Sequence, residues 1–375
     1  MASTFSLADH QFMVRALQLA RKAHYTTSPN PRVGCVLVKD GDIVGEGYHI
    51  KAGDGHAEVN AIAQAGVNAQ GATAYVTLEP CSHFGRTPPC AQGLIDAGVS
   101  RVIAAMVDPN PQVSGRGLAL LEQAGIQCAS GLLESDARTL NPGFIKLMTE
   151  KMPYVRCKLA ASLDGKTAMA SGESQWITSK DARQDVQRLR AQSCAVISGA
   201  DAVIYDQARM TVRWSELGVL KNSYQESELR QPLRVLIDSK NRLTPDLKLF
   251  SETSPILIIS TEVESLHTWP HFVEQAVVAK SACGQYVDLT EVLVLLASKG
   301  LNDVLVESGR QLAGAFIEQG LVDELILYQA PKLIGDSGQG LMLMPEVQRL
   351  SQAKNLTFSD VTMVGRDLKI TALLS

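Results

Sequence analysis

The chain has 375 residues, 45% of them apolar and 20% charged, with a formal net charge of -4. At roughly 150 residues per domain this length points to two domains, with the balance of an ordinary globular protein. It gives no support to a nucleic-acid partner held by a general basic field, although a local basic pocket for a phosphate fits it.

The N-terminal stretch MASTFSLADHQFMVRALQLARKAH reads as an amphipathic helix with Phe12, Ala16, Leu19, Ala20 and Ala23 on one face. Asp9, His10 and Arg15 interrupt it, so it is not a signal core. No stretch approaches the roughly 20 apolar residues of a membrane span. Cys35, Cys81, Cys90, Cys128, Cys157, Cys194 and Cys283 are widely scattered. An odd, scattered set implies reduced thiols and a cytoplasmic protein. Cys35, Cys128, Cys157, Cys194 and Cys283 sit in apolar strand contexts and read as core.

GCVLVKDGDIVGEGYH, from 34 to 49, predicts a hairpin turning at Asp40-Gly41. HAEVNAIAQAG follows as a helix ending at Gly66, then the strand ATAYVTLEP and the helix CAQGLIDAG. RVIAAMVDPNP reads as a strand, GRGLALLEQAG as a helix and IQCASGLL as a last short strand. The alternation says α/β. The pattern breaks between 140 and 153, where NPGFIKLMTEKMP joins two patterned regions, so the boundary falls near Glu150: one domain over 1–150 and another over 151–375.

YVRCKLAASLDGKTA opens the second unit as a strand, and SKDARQDVQRLRAQ predicts a helix capped by Ser179. CAVISGADAVI, LRVLIDS and PILIIST read as buried strands. The polar region 214–232 reads as a loop insertion. LNDVLVESG predicts a strand running into the helix RQLAGAFIEQG. DELILYQAPKLIG and a strand near LKITALL close the chain.

The chemistry gathers at His56-Ala57-Glu58, Cys81 and Cys90. One histidine and two thiolates suit zinc and leave a fourth position for water. Zinc lowers that water's pKa to about 7, and Glu58, two residues from His56, is the candidate proton shuttle. Zinc base deaminases carry H-x-E followed by P-C-x-x-C. This chain has H-A-E and P-C, but eight residues separate its cysteines. In the second half there is no complete G-x-G-x-x-G, so a dinucleotide-binding Rossmann domain is not supported. VLVESGRQLAGAF runs strand, glycine turn, helix. That is either an ordinary connection or a phosphate site on free helix N–H groups.

N-P-R-V-G at 30–34, H-A-E at 56–58, and P-C-S-H-F-G-R-T-P-P-C at 80–90 resemble the bifunctional riboflavin-biosynthesis deaminase–reductases. S-L-D-G-K-T-A and S-G-E-S-Q-W-I-T resemble that family's reductase half, so the likeness spans essentially the whole chain. The resemblance implies an N-terminal cytidine-deaminase-like α/β/α domain and a C-terminal dihydrofolate-reductase-like α/β domain. It implies zinc hydroxide deaminating 2,5-diamino-6-(5-phosphoribosylamino)pyrimidin-4-one, with one Zn2+ per chain. Reduction of 5-amino-6-(5-phosphoribosylamino)uracil to its ribityl form by NADPH would follow. It implies no nucleic-acid or membrane partner and a homo-oligomer, dimer or tetramer, joined through reductase domains.

Residue by residue, the resemblance places the deaminase substrate on Asn30, His49, His83, Arg86, Asp108 and Asn110. His83 and Arg86, facing a phosphate, would account for the long cysteine loop. It places NADPH on Ala160, Trp176, Ala202 and Asp206, and on the turn Gly309, Arg310, Gln311, Leu312, Ala313, Gly314 and Ala315. The reductase substrate falls on Lys158, Ser174, Arg190, Met210, Arg213 and Glu307. Arg190 and Arg213 would form a guanidinium clamp on the ribose phosphate. The family reads T-V-x-x-D-D/N-P around Asp206. This chain instead has Ala202, Gln207 and Ala208, which removes a hydroxyl, a polar group and a fixed φ. Two other readings stay open here: a nucleic-acid base deaminase with a binding domain, and a second half serving only as a scaffold.

Overall fold

The computed structural model describes residues 5–82, 89–111, 113–263 and 267–374. The chain divides into two compact units, Met1–Lys151 and Met152–Ser375.

In the first unit, α1 (Leu7–Arg21) starts at a capping box. Asp9 N–H donates to Ser6 Oγ at 3.1 Å and Ser6 N–H returns a bond to Asp9 Oδ2 at 2.8 Å. β1 (Gly34–Lys39) and β2 (Asp42–Tyr48) form the predicted hairpin. Positive φ at both Asp40 and Gly41 gives the two-residue turn that matches strand twist. α2 (Ala57–Ala65), β3 (Thr73–Val76), α3 (Cys90–Asp96), β4 (Arg101–Ala104), α4 (Arg116–Gln123) and β5 (Gln127–Ser130) follow. The sheet order is β2-β1-β3-β4-β5, with β3, β4 and β5 parallel. α1 packs against β1, β2 and β3, while α2, α3 and α4 adjoin one another in turn. The core is built from residues such as Met13, Leu37, Ile103 and Leu121, all fully buried. The break expected at 140–153 is instead helical. α5 (Glu134–Leu140) and α6 (Pro142–Glu150) meet at Asn141, and Pro142 sits at the first helical turn, where a missing N–H costs nothing.

The second unit opens with β6 (Tyr154–Ser162) and β7 (Lys166–Ala168), then α7 (Lys180–Gln192), whose N-cap is Ser179. β8 (Ala195–Gly199) gives way directly to α8 (Ala200–Asp206). The sequence reading of ADAVI as a continuing strand is therefore corrected. Gly199 ends the strand, and burial then falls on Ala200 and Val203, three residues apart on one helical face, so the apolar run is a helix. Three short 3-10 turns lie in the polar insertion. Next come β9 (Leu233–Ile237), β10 (Ile256–Ser260), β11 (Val273–Val277), α9 (Leu289–Ser298), β12 (Asp303–Glu307), α10 (Arg310–Glu318) and β13 (Glu324–Ala330). β14 (Gln339–Gly340), β15 (Leu356–Val364) and β16 (Asp367–Leu374) close the chain. β11, α9 and β15 lie outside the sequence-level expectations.

The nine-stranded sheet runs β11-β10-β9-β8-β12-β6-β13-β16-β15. β11 through β13 are mutually parallel, and β16 is antiparallel to both neighbours. Separate apolar clusters cover its two faces. One includes Val306, Ala313 and Phe316, and the other Leu305, Met210 and Tyr328. Of the cysteines read as core, Cys35, Cys157 and Cys194 are buried and Cys128 half-buried. Cys283 is exposed in a turn, where Gly284 N–H bonds back to Ser281 C=O, so it stands in a tight bend rather than a strand.

Candidate active sites

His56, Cys81 and Cys90 come together from three elements. His56 is the N-cap of α2, Cys81 follows the chain leaving β3, and Cys90 opens α3. Their ligand atoms all lie within 4.8 Å of one another. His56 Nδ1 is 3.1 Å from Cys90 Sγ and 3.7 Å from Cys81 Sγ. One nitrogen and two sulfurs at this spacing fit zinc and leave a tetrahedral position for a fourth ligand. The Cys90 hydrogen bond pulls the Cys81 thiol down to about 4, against burial, while Cys81 pushes Cys90 far up. A cation between the two sulfurs would favour the thiolate form of both.

Glu58 is buried in the first turn of α2, within hydrogen-bond reach of the Cys90 thiol. Burial raises its carboxyl above the ordinary range, the direction a proton shuttle requires. His49 is also buried, its ring edge-on to His56 with centroids 5.2 Å apart. His49 Nδ1 bonds the Gly55 carbonyl at 3.1 Å, so it carries the proton. Nε2 then accepts from Asn30 Nδ2 at 3.1 Å. Burial lowers the His49 pKa, which keeps the ring neutral. Asn30 and His49 thus adjoin the His56, Cys81 and Cys90 cluster. Asp108 is buried, and its Oδ1 accepts from Asn110 N–H at 2.8 Å, folding the DPN turn. His83 and Arg86 lie outside the described residues.

Sequence reasoning passed over Glu79. Its buried carboxylate accepts from the N–H groups of Asp108, Gly115, Gly117 and Leu118. The one available signal was its place immediately before Pro80-Cys81.

In the second unit the C-terminal ends of β8 and β12 lie side by side and lead into α8 and α10. Gly309 is the N-cap of α10, and a Cβ there would meet nothing within 4 Å. Ala313 N–H already bonds Gly309 C=O at 3.1 Å. The N–H groups of Arg310, Gln311 and Leu312 form the open first turn, suited to an anionic phosphate. Two positions of the expected cofactor turn face inward instead. Ala313 is core, and a Cβ on Gly314 would lie 2.0 Å from Leu343 O. Ala315 is half-buried on the helix flank. Trp176 is exposed with Arg183 stacked 4.4 Å over its ring. Ala160 and Ala202 are half-buried, on β6 and α8, and Ser174 Oγ donates to Asp206 Oδ1 at 3.5 Å.

Lys158, Arg190 and Arg213 form one electrostatic cluster around Glu307, each favouring its charged form. Arg190 grips Glu307 with two parallel bonds of 2.8 and 2.7 Å and donates a third to Thr211 C=O. Arg213 pairs with Glu216. Both guanidiniums are thus already engaged, Arg190 wholly within the protein. Burial alone would raise the Glu307 carboxyl, but Arg190, Lys158 and Arg213 outweigh it and hold it at about 2. Burial lowers the Lys158 amine, against the pull of Glu307. Met210 does not belong to the surface of this site. It is 2% exposed and packs in the core with Leu243 and Leu249, at a left-handed backbone position.

Residues 7–106 match the family described as "Cytidine and deoxycytidylate deaminase zinc-binding region", and residues 153–370 match "RibD C-terminal domain". The chain is 52% identical over 368 residues to riboflavin biosynthesis protein RibD of Haemophilus influenzae, covering 98% of both. It is 50% identical over 363 residues to the Escherichia coli protein of the same name, covering 96% of this chain and 98% of that one. The solved structure of Acinetobacter baumannii RibD superposes with a TM-score of 0.89 at 42% identity, covering 98% of this chain and 99% of that one. A deaminase–reductase structure from Thermotoga maritima gives 0.85 at 32% identity, with the same coverage.

Proposed function

This chain belongs to the RibD family of riboflavin biosynthesis, and from that premise we propose how its own residues divide the work. The chain is a bifunctional enzyme, with a cytidine-deaminase-like N-terminal domain and a RibD reductase C-terminal domain carrying the two successive steps. It uses zinc and a nicotinamide cofactor and acts on phosphoribosylated pyrimidines. The deaminase is assigned to residues 1–150 and the reductase to 151–375.

In the deaminase, His56, Cys81 and Cys90 hold one zinc ion per chain. Bound there, zinc supplies the Lewis acidity that makes a water nucleophilic near neutral pH. Glu58 takes the proton that water gives up and hands it to the ring nitrogen; the hydroxyl proton of the adduct then passes through Glu58 to the amino group, which leaves as ammonia as the C–N bond breaks. His49, kept neutral with its proton on Nδ1, fixes the Asn30 amide, so that Asn30 presents its oxygen to the pyrimidine edge. Asp108 and Asn110 supply the second polar edge, and His83 and Arg86 take the phosphate. The observation that carries this half is the convergence of buried Glu58 and Cys90 with half-buried His56 and Cys81.

In the reductase the cofactor is NADPH, which would supply a hydride to the anomeric carbon once the ribosylamine ring has opened to its imine, with a solvent proton going to the nitrogen. Arg310, Gln311 and Leu312 offer N–H groups to its pyrophosphate, while Ala160, Trp176, Ala202 and Asp206 border the rest. Lys158, poised by the Arg190–Glu307 pair, faces the ribosyl group with Ser174 and Arg213. Glu307 holds the Lys158 ammonium in place, and Arg190 fixes Glu307.

The enzyme works as a cytoplasmic homo-oligomer, dimer or tetramer, without nucleic-acid partners. Seven free cysteines support a reducing compartment. β15 supports assembly through reductase domains. It is an edge strand with Phe358, Val361 and Met363 exposed, the kind of edge that invites pairing.

The test is to give purified enzyme the diaminopyrimidinone phosphoriboside with NADPH, then with NADH. Ammonia release followed by loss of reduced-cofactor absorbance is expected with NADPH. Equal rates with NADH would overturn the cofactor assignment, and ammonia release from enzyme stripped of zinc would overturn the metal assignment.

A further inference from the structure

We propose that Glu79 is a positioning residue for the deaminase. It fixes the Asp108–Asn110 turn relative to the metal ligand Cys81, and so governs substrate binding without touching substrate. The proposal rests on the reading that Asp108 and Asn110 contact the pyrimidine.

Glu79 stands two residues before Cys81 and is 3% exposed. Its own N–H bonds Met106 C=O at 3.0 Å, which ties the chain after β3 to the chain after β4. Its carboxylate bonds in two directions. Oε2 accepts from Asp108 N–H at 3.0 Å and Gly115 N–H at 2.9 Å; Oε1 accepts from Gly117 N–H at 2.9 Å and Leu118 N–H at 3.3 Å. The first pair brackets the two ends of the loop that carries Asp108 and Asn110. The second pair sits on the first turn of α4.

α4 has no cap of its own. Its N-cap is Gly115, with φ of 76° and no side chain to accept a bond. Glu79 therefore does from across the domain what an Asp or Ser at the N-cap ordinarily does locally, and a charged acceptor suits the positive end of the helix. The contact is close on the backbone side as well. A Cβ on Gly117 would fall 1.9 Å from Pro80 O. The Glu79-Pro80 segment, immediately before the metal ligand, thus rests directly on the helix that ends the substrate loop. Among the described residues the Glu79 carboxylate has no ion-pair partner, and its hydrogen bonds come from backbone N–H groups of this one loop and helix.

A carboxylate with four donors is replaced poorly by an amide. Glu79→Gln turns one acceptor oxygen into an NH2 that faces N–H groups and leaves them unsatisfied. With the NH2 at the Oε2 position the loop loses its hold at both ends, and at the Oε1 position the first turn of α4 does, while His56, Cys81, Cys90 and Glu58 keep their own contacts. Glu79→Asp keeps the charge but is one methylene short of holding both pairs of N–H groups.

The experiment uses full-length enzyme. For wild type, Glu79→Gln, Glu79→Asp and Asp108→Ala, it measures zinc per chain, kcat and KM for ammonia release, and the reductase rate on supplied deaminated intermediate. Glu79→Gln is expected to raise the deaminase KM about tenfold with kcat within about threefold of wild type. Zinc and reductase rate are expected to stay unchanged, and Glu79→Asp to fall between. An unchanged KM in both Glu79 variants, with KM raised in Asp108→Ala, would overturn the positioning role and leave the substrate-loop reading standing. An unchanged KM in Asp108→Ala would instead overturn the substrate-loop reading. Loss of zinc in the Glu79 variants would reassign the residue to holding the metal site. If Glu79→Gln does not fold, the KM of Glu79→Asp alone decides, a wild-type value overturning the proposal.

Discussion

A single oxygen-to-nitrogen change at Glu58 separates proton transfer from metal binding. Glu58→Gln keeps the volume of a buried side chain beside Cys90. We expect it to retain zinc and the reductase rate while ammonia release falls by about 10²–10⁴-fold; deamination at the wild-type rate would remove Glu58 as the shuttle. Glu307 makes a second residue-level prediction, about stability. Its folded carboxyl is depressed to about 2, below the ordinary value of about 4.3. Its contribution is thus fully present above the unfolded pKa and is lost as pH falls toward 2. Glu307→Gln should cost about 3–5 kcal/mol at neutral pH, since it strands the buried Arg190. Denaturant melts should show that gap closing between about pH 4.3 and 2; a pH-independent gap would contradict it. The convergence of His56, Cys81 and Cys90 was legible in the sequence because ligand chemistry demands His and Cys in order, and helix starts place them. Glu79 was not legible, because a carboxylate that accepts from amides far downstream, from Asp108 to Leu118, leaves no local pattern.

At the scale of elements, periodicity located most helices and strands, and it failed where one apolar run changes structure midway. Ala195–Gly199 is a strand and Ala200–Asp206 a helix, yet both are apolar, and the turn between them is a single glycine in extended conformation. The junction matters because α8 carries the altered Ala202 and Asp206, with Gln207 beyond them in a left-handed conformation. Residues at 202 and 208 that restore a hydroxyl and a fixed φ should stiffen this end of α8. The double variant Ala202→Thr, Ala208→Pro is expected to bind NADPH several-fold more tightly, read by fluorescence titration. A Kd equal to wild type would show that the departures carry no cost. The guanidinium clamp shows another limit of pattern. The family resemblance suggests Arg190 and Arg213 as partners in a clamp, but only the fold reveals that Glu307 and Glu216 already pair with them.

For the whole molecule, two sheets of different design house the two steps. The five-stranded sheet of the first unit carries its site where chain segments leave β3 and β4. The nine-stranded sheet of the second carries its site where parallel β8 and β12 end. Its far edge, β15, is long and exposed on both faces. Phe358→Lys places a charge in that edge, and should weaken self-association at least about tenfold. Sedimentation over a concentration range would report it; an unchanged assembly would place the interface elsewhere. This edge was absent from the sequence reading because its alternation, with no buried face, carries no contrast between core and solvent.

The hairpin of the first unit has a consequence of its own. A Cβ on Gly47 would lie 2.3 Å from Ala57 O, and one on Gly45 the same distance from Ala61 O. α2 is thus seated on bare backbone, and Ala57 is the residue between His56 and Glu58. A methyl group added at position 47 would lift ligand and acid together, although it touches neither. In a saturation scan scored on ammonia release, Gly45 and Gly47 should tolerate as few replacements as His56 itself. The address of the proposed metal centre is therefore written partly in side chains that are missing.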